Sequence, residues 1–190
     1  MNVTRDEAEQ ALKDIGKAAS KVVELKGYHH GAPHFLVWGL VWLVANTITQ
    51  FWPQYAGTAW MTCLAVGMVS STVIGVLQSR RVRHGAAAVD MNIGRKIGIT
   101  SGIMFVFIFC LLTIAQPESS REANAMISIL FPFLYMCAGL WAGWRLFPIG
   151  LVSAAAIMVG FHFIDEWFDL WMGVFAGGSL IAGGLWLRSA

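Results

Sequence analysis

FPIGLVSAAAIMVGFHFIDEWFDLWMGVFAGGSLIAGGLWL, residues 147–187, is the stretch that decides how this chain is read. Two apolar runs, 147–164 and 170–187, flank a short polar centre. Each has the length that a helix needs to cross ~30 Å of hydrocarbon. In lipid every backbone polar group must be satisfied within the segment, so such runs are helical. The centre holds His162, Asp165, Glu166 and Asp169, the one place where several chemically capable groups crowd into apolar surroundings.

Working outward, four more runs of the same kind lie at 35–51, 58–78, 96–115 and 123–144. The chain is 57% hydrophobic and only 13% charged, against about 45–50% and about 25% in soluble domains. Connections are short except at 79–95, so consecutive helices are expected to be antiparallel neighbours. The fold class that follows is all-α: a polytopic membrane protein with a six-helix transmembrane bundle of three antiparallel hairpins. An N-terminal cytoplasmic amphipathic helix precedes the bundle. Residues 1–33 read as that helix with an interfacial linker, and residues 34–190 as the bundle. Pro132 is expected to kink the fourth span, and Pro148 suits the first turn of the fifth.

Charge orients this arrangement. With six spans, the N-terminal helix, the 79–95 loop, Arg145 and the C-terminus share a side carrying 12 of the 13 basic residues against six acids, a balance of +6. The opposite side has Arg121 against Glu118, Glu122, Asp165, Glu166 and Asp169, a balance of −4. The positive-inside rule then places both termini in the cytoplasm of a multi-pass protein of the cell (inner) membrane. Trp52, Trp60, Trp167 and Trp171 near the outer ends, and Trp38, Trp141, Trp144 and Trp186 near the inner ends, read as interfacial belts. The polar, helix-forming start does not read as a signal peptide. Basic residues form no single patch of the kind nucleic acid requires. Cys63, Cys110 and Cys137 all lie in apolar runs without pairing motifs and read as reduced.

Residues 4–26 have helical periodicity. Thr4 and Glu7 make a capping-box pattern, Gly27 is a stop signal, and Leu12, Ile15 and Val22 fall on one apolar arc opposite Lys13, Lys17 and Lys21. The arc has no aromatic residue, so it suits protein better than a membrane surface. It is expected to meet copies of itself, a cytoplasmic partner or the bundle, or else to serve only as a solvated leader. Gly94, Gly98 and Gly102, the pairs Gly139/Gly143 and Gly173/Gly177, and the stripe Gly67, Ser71 and Gly75 are small-residue patterns that let helices approach closely. They fit a compact bundle or a homo-oligomer alike.

Candidate chemistry centres on His162, Asp165, Glu166 and Asp169. On a continuous helix their spacings of three, four and seven fall on one face, where imidazole and carboxylates could hold a divalent cation as cofactor. Glu118 and Glu122 would add to the field. The plainer reading is an acidic hairpin turn that keeps basic residues off that side. His29, His30 and His34, with His84, are a second cluster, interrupted by Gly31 and Pro33 and read as interfacial. Asn46, Thr47, Thr49 and Gln50 in the first span, and Thr62, Ser70, Ser71 and Thr72 in the second, are expected to satisfy one another between helices or to line a polar path. No nucleophile–base set, phosphate loop or dinucleotide fingerprint is present. The leading expectation is a non-enzymatic membrane protein acting through partner binding or self-association: a regulator, sensor or assembly factor. The alternatives are a small transporter or channel with an acidic outer cation site, and a metal-dependent membrane enzyme.

Overall fold

The computed structural model describes residues 5–83 and 91–189. Its regular elements are helices: α1 (Arg5–Phe51), α2 (Ala56–Arg83), α3 (Met91–Ala115), α4 (Ser120–Ala142), α5 (Leu146–Phe163) and α6 (Phe168–Arg188). All but α3 are long and apolar enough to cross a membrane, and the described part of α3 adds the apolar stretch Gly102–Ala115. The protein is thus all-helical and of membrane type.

Helix ends follow local chemistry. α1 stops where Pro53 forces the preceding Trp52 out of helical geometry, to φ −137° and ψ 65°. Ser119 caps α4 by accepting a bond from the Glu122 amide at 3.2 Å, while the Glu122 carboxylate accepts from the Glu118 amide at 2.9 Å. This variant of the capping box occupies Glu122 locally, where the sequence suggested only a contribution to the acidic field. α4 ends at Gly143, whose φ of +134° is a backbone state that other residues rarely adopt. A Cβ there would also stand 2.2 Å from the Tyr28 hydroxyl.

The linker expected at residues 27–33 is helical, and α1 runs unbroken for 47 residues. Pro33 forfeits one backbone bond and strains the turn before it, at a cost of about 3 kcal/mol. Tertiary packing offsets this. Tyr28 and Ala32 are buried against Ile149 of α5 and Leu187 of α6, and full burial of a large side chain contributes about 1.5–3 kcal/mol. The Tyr28 hydroxyl donates to Glu24 Oε1 at 2.7 Å and accepts from the Arg145 amide at 3.2 Å. Arg145 lies over the Tyr28 and Trp186 rings and donates to the Trp186 carbonyl at 2.8 Å. These contacts tie the joint between α4 and α5 to both α1 and α6.

α1 is the central axis and packs against both α2 and α6. It crosses α6 so closely that a Cβ on Gly39 would stand 2.8 Å from the Gly177 carbonyl, and one on Gly177 3.0 Å from that of Gly39. The Gly173/Gly177 pattern is therefore a contact within the chain. Around Gly75 and Gly102 there is open space. A second core group joins Val41 and Trp42 of α1 to Ala125 of α4, Ile157 of α5, and Phe168, Met172 and Ala176 of α6. Within α6, Met172–Gly177 is wound as a π-helix. α2 rests chiefly on α1, and α3 presents Ile103, Val106, Phe109 and Ile114 outward.

Candidate functional site

The four residues singled out around Gly160 do not share a helix face. α5 ends at Phe163, Ile164 is extended, and α6 begins at Phe168. The turn sends each side chain its own way. His162 is exposed, its Nδ1 3.0 Å from the Met158 carbonyl. Asp165 is exposed and paired with Arg121. The Glu166 carbonyl, not its carboxylate, makes the structural bond, accepting from Gln50 Nε2 at 2.8 Å. Asp169 alone turns inward, half-buried in the first turn of α6. Among the described residues no three His, Cys, Asp or Glu side chains converge as metal ligands would. His29, His30 and His34 lie on α1, with His30 Nδ1 2.8 Å from the Lys26 carbonyl. His84 lies outside the described residues.

Two features of this acidic end escaped the sequence reading. The first is Arg121, the lone base among its acids. Its guanidinium lies between the rings of Phe161 and Phe168, 5.3 and 5.2 Å from their centroids, and donates to Asp165 and to the Phe161 carbonyl. Among the described residues its buried Nε has no hydrogen-bond partner. Arg121 thus fastens the start of α4 to the α5–α6 turn through two cation–π contacts and an ion pair. Gln50 completes the fastening from α1, accepting the Leu170 amide at 3.2 Å while it donates to Glu166.

The second is a polar network inside that end. Asn124 Nδ2 donates to Asn46 Oδ1 at 2.9 Å and to Asp169 Oδ1 at 3.0 Å. Ser128 Oγ donates to Asn124 Oδ1 at 3.0 Å, and Asn46 Nδ2 to the Trp42 carbonyl of its own helix at 2.9 Å. Asn46 and Ser128 are buried, with 0% and 1% of their surface exposed. Three helices are joined through one amide. Its orientation is fixed chemically: the Trp42 carbonyl only accepts, so Asn46 turns its nitrogen to that carbonyl and its oxygen to Asn124, and Asn124 must turn its nitrogen to Asn46 and Asp169 and its oxygen to Ser128. Of the polar patch read in the first span, Asn46 and Gln50 do bridge helices. Thr47 and Thr49 bond back to carbonyls of α1 at 2.6 and 2.9 Å, and Thr49 Oγ1 also accepts from Trp60 Nε1 at 3.1 Å.

Beyond Ser128 the network meets a cavity of about 80 Å³ lined by Trp38, Trp42, Phe131, Tyr135 and Ser153, among others. Pro132 and Ala176 also border it. Proline removes a backbone bond from α4, and the π turn widens α6 around Ala176. Where two helices depart from regular geometry, side chains do not interdigitate fully, and space remains. Trp38, expected in an interfacial belt, faces this interior instead. Ser153 Oγ lies 2.8 Å from the Ile149 carbonyl and 2.6 Å from Ser179 Oγ, which lies 2.7 Å from the Ala176 carbonyl; with one proton each, one of the two hydroxyls donates to the other.

At the opposite end of α1, Leu12, Ile15 and Val22 are 69%, 65% and 49% exposed. Lys13 pairs with Glu9 at 3.1 Å and Lys21 with Glu24 at 3.0 Å, both within the helix. No protein family, curated protein or solved structure matches the chain.

Proposed function

We propose that this is a six-span inner-membrane protein with both termini in the cytoplasm, and that it assembles through the N-terminal part of α1. One observation carries the reading: Leu12, Ile15 and Val22 form an exposed apolar stripe on a helix that continues without a break into the buried core. Leu12, Ile15, Ala19 and Val22 succeed one another at steps of three, four and three, the spacing of a coiled-coil seam. The neighbouring charges at Glu9, Lys13, Lys21 and Glu24 are paired along the helix, which leaves the seam uncharged. An uncharged, self-complementary stripe suits a second copy of the same helix, so the occupant we assign is another molecule of this chain.

The test replaces Leu12, Ile15 and Val22 together by serine and measures mass by sedimentation in detergent and in nanodiscs. The expected result is a fall to the monomer with bundle helicity retained. An unchanged mass overturns the reading, and a wild type that is already monomeric but captures a cytoplasmic protein through the stripe reassigns the occupant. Orientation is tested separately by impermeant thiol labelling of intact cells. Ser120→Cys is expected to react and Ser20→Cys to remain protected.

A further inference from the structure

The geometry points to the cavity beside Trp42 as a binding site for a small alkylammonium ion. This goes beyond assembly through α1 and does not depend on it.

The hydrogen-bond chain that ends at the cavity has a polarity. Ser128 gives its proton to Asn124 Oδ1, and the Asn124 amide gives a proton to Asp169 Oδ1. Both bonds point the same way, positive end towards the carboxylate and negative end towards the cavity. Aligned hydrogen bonds polarise one another in a low-dielectric interior. Ser128, with its only hydroxyl proton committed, therefore offers the cavity lone pairs, with the Asp169 carboxyl group at the far end of the chain. Ser153 shares a hydroxyl pair with Ser179 at 2.6 Å and is satisfied within the protein. Ser128 is thus the acceptor that the network presents on the wall.

The rest of the wall is apolar, half of it aromatic and half aliphatic. Trp38, Trp42, Phe131 and Tyr135 line the space, and the Trp42 and Phe131 rings meet at 86° with centroids 6.0 Å apart, as two walls of a corner. Aromatic faces attract cations, most strongly where water is excluded, and clustered aromatics are the usual receptor for alkylated ammonium groups. A neutral apolar ligand would gain little here, since lipid tails already offer it an equivalent environment. A metal ion would find too few oxygens. A cation with an alkyl body uses both halves of the wall: N–H groups to Ser128 and methyl groups to the rings. At about 80 Å³ the space is smaller than the ~150 Å³ cavity known to take benzene, which limits the ligand to a few heavy atoms.

The experiment compares isopropylammonium with isopropanol, which has the same number of heavy atoms and no charge, on the full-length protein in nanodiscs at neutral pH. Ligand-observed saturation-transfer NMR gives the affinities. The ammonium ion is expected to bind at least about tenfold more tightly than the alcohol. Asp169→Asn keeps the side-chain shape and an acceptor for Asn124 but removes the charge. It is expected to weaken ammonium binding at least about fivefold and leave the alcohol unaffected. Ser128→Ala cuts the chain at the cavity and is expected to do the same. Melting curves of both variants establish that they are folded. Equal affinity for the two ligands, no binding of either, or an undiminished affinity in folded Asp169→Asn overturns the proposal.

Discussion

Replacing Asn124 with alanine strikes the network at its only three-way junction, and the cost can be worked out partner by partner. Three bonds disappear, to Asn46, Asp169 and Ser128. Asp169 is only partly buried and keeps access to water. Ser128 is buried, but its hydroxyl can turn back to the carbonyl four residues earlier on its own helix. Asn46 Oδ1 has neither escape, because Asn46 is fully enclosed. A stranded buried acceptor costs about 1–3 kcal/mol. Hydrogen bonds between membrane helices are worth about 0.6 kcal/mol on average and about 1.7 at most, since the unfolded segments also find partners. The total expected for Asn124→Ala is about 2 kcal/mol. Ser128→Ala, which removes a donor and strands no enclosed atom, is expected to cost about 0.5–1 kcal/mol. Replacing Asn46 and Asn124 together with leucine removes both ends of the central bond and is expected to cost less than Asn124→Ala alone. Reversible unfolding in mixed detergent–SDS micelles, followed by tryptophan emission, measures all three. A cost under about 0.5 kcal/mol for Asn124→Ala, or a double variant worse than the single one, would refute the idea that this amide holds three helices together.

Two further predictions concern the backbone. Gly39→Val drives a branched side chain into the Gly177 carbonyl and is expected to destabilise by at least about 1–3 kcal/mol, whereas Gly102→Ala enters open space and is expected to be neutral or stabilising in the same unfolding assay. Gly27→Ala and Gly31→Ala lie in helix with nothing near the added methyl, so each is expected to stabilise by about 0.5–1 kcal/mol. A destabilised protein in either case would mean that α1 needs a break there.

Fold class was legible because it depends on composition and run length, which tertiary contacts hardly alter. Five of the six apolar runs lie within helices long enough to cross a membrane. The boundary at Gly27 and Pro33 was misjudged because both residues carry strong local stop signals, while the opposing force, burial of Tyr28 and Ala32 against Ile149 and Leu187, comes from residues more than a hundred positions away. The shared face of His162, Asp165, Glu166 and Asp169 assumed a continuous helix, and nothing in the spacing marks the extended Ile164 that interrupts it. The network itself left a fainter trace. Arg121, Asn124 and Ser128 follow at steps of three and four on one face of α4, and Asn46 and Gln50 stand four apart on α1. Read together, two polar stripes at the same end of two apolar helices suggest mutual satisfaction. Which residue of one stripe meets which of the other depends on helix register, which only packing sets.

The unbroken course of α1 has a mechanical consequence. Trp38 and Trp42 at the cavity and Leu12 at the far end belong to one continuous helix, whose turn before Pro33 is braced by the burial of Tyr28 and Ala32. Leu12 lies about 45 Å from Trp42 at a rise of 1.5 Å per residue. A tilt of about 5° about the Gly39–Gly177 crossing therefore sweeps Leu12 sideways by about 4 Å, roughly the spacing between packed side chains. A change too small to disturb the interior becomes, at the tip of the lever, the difference between one seam in register and another.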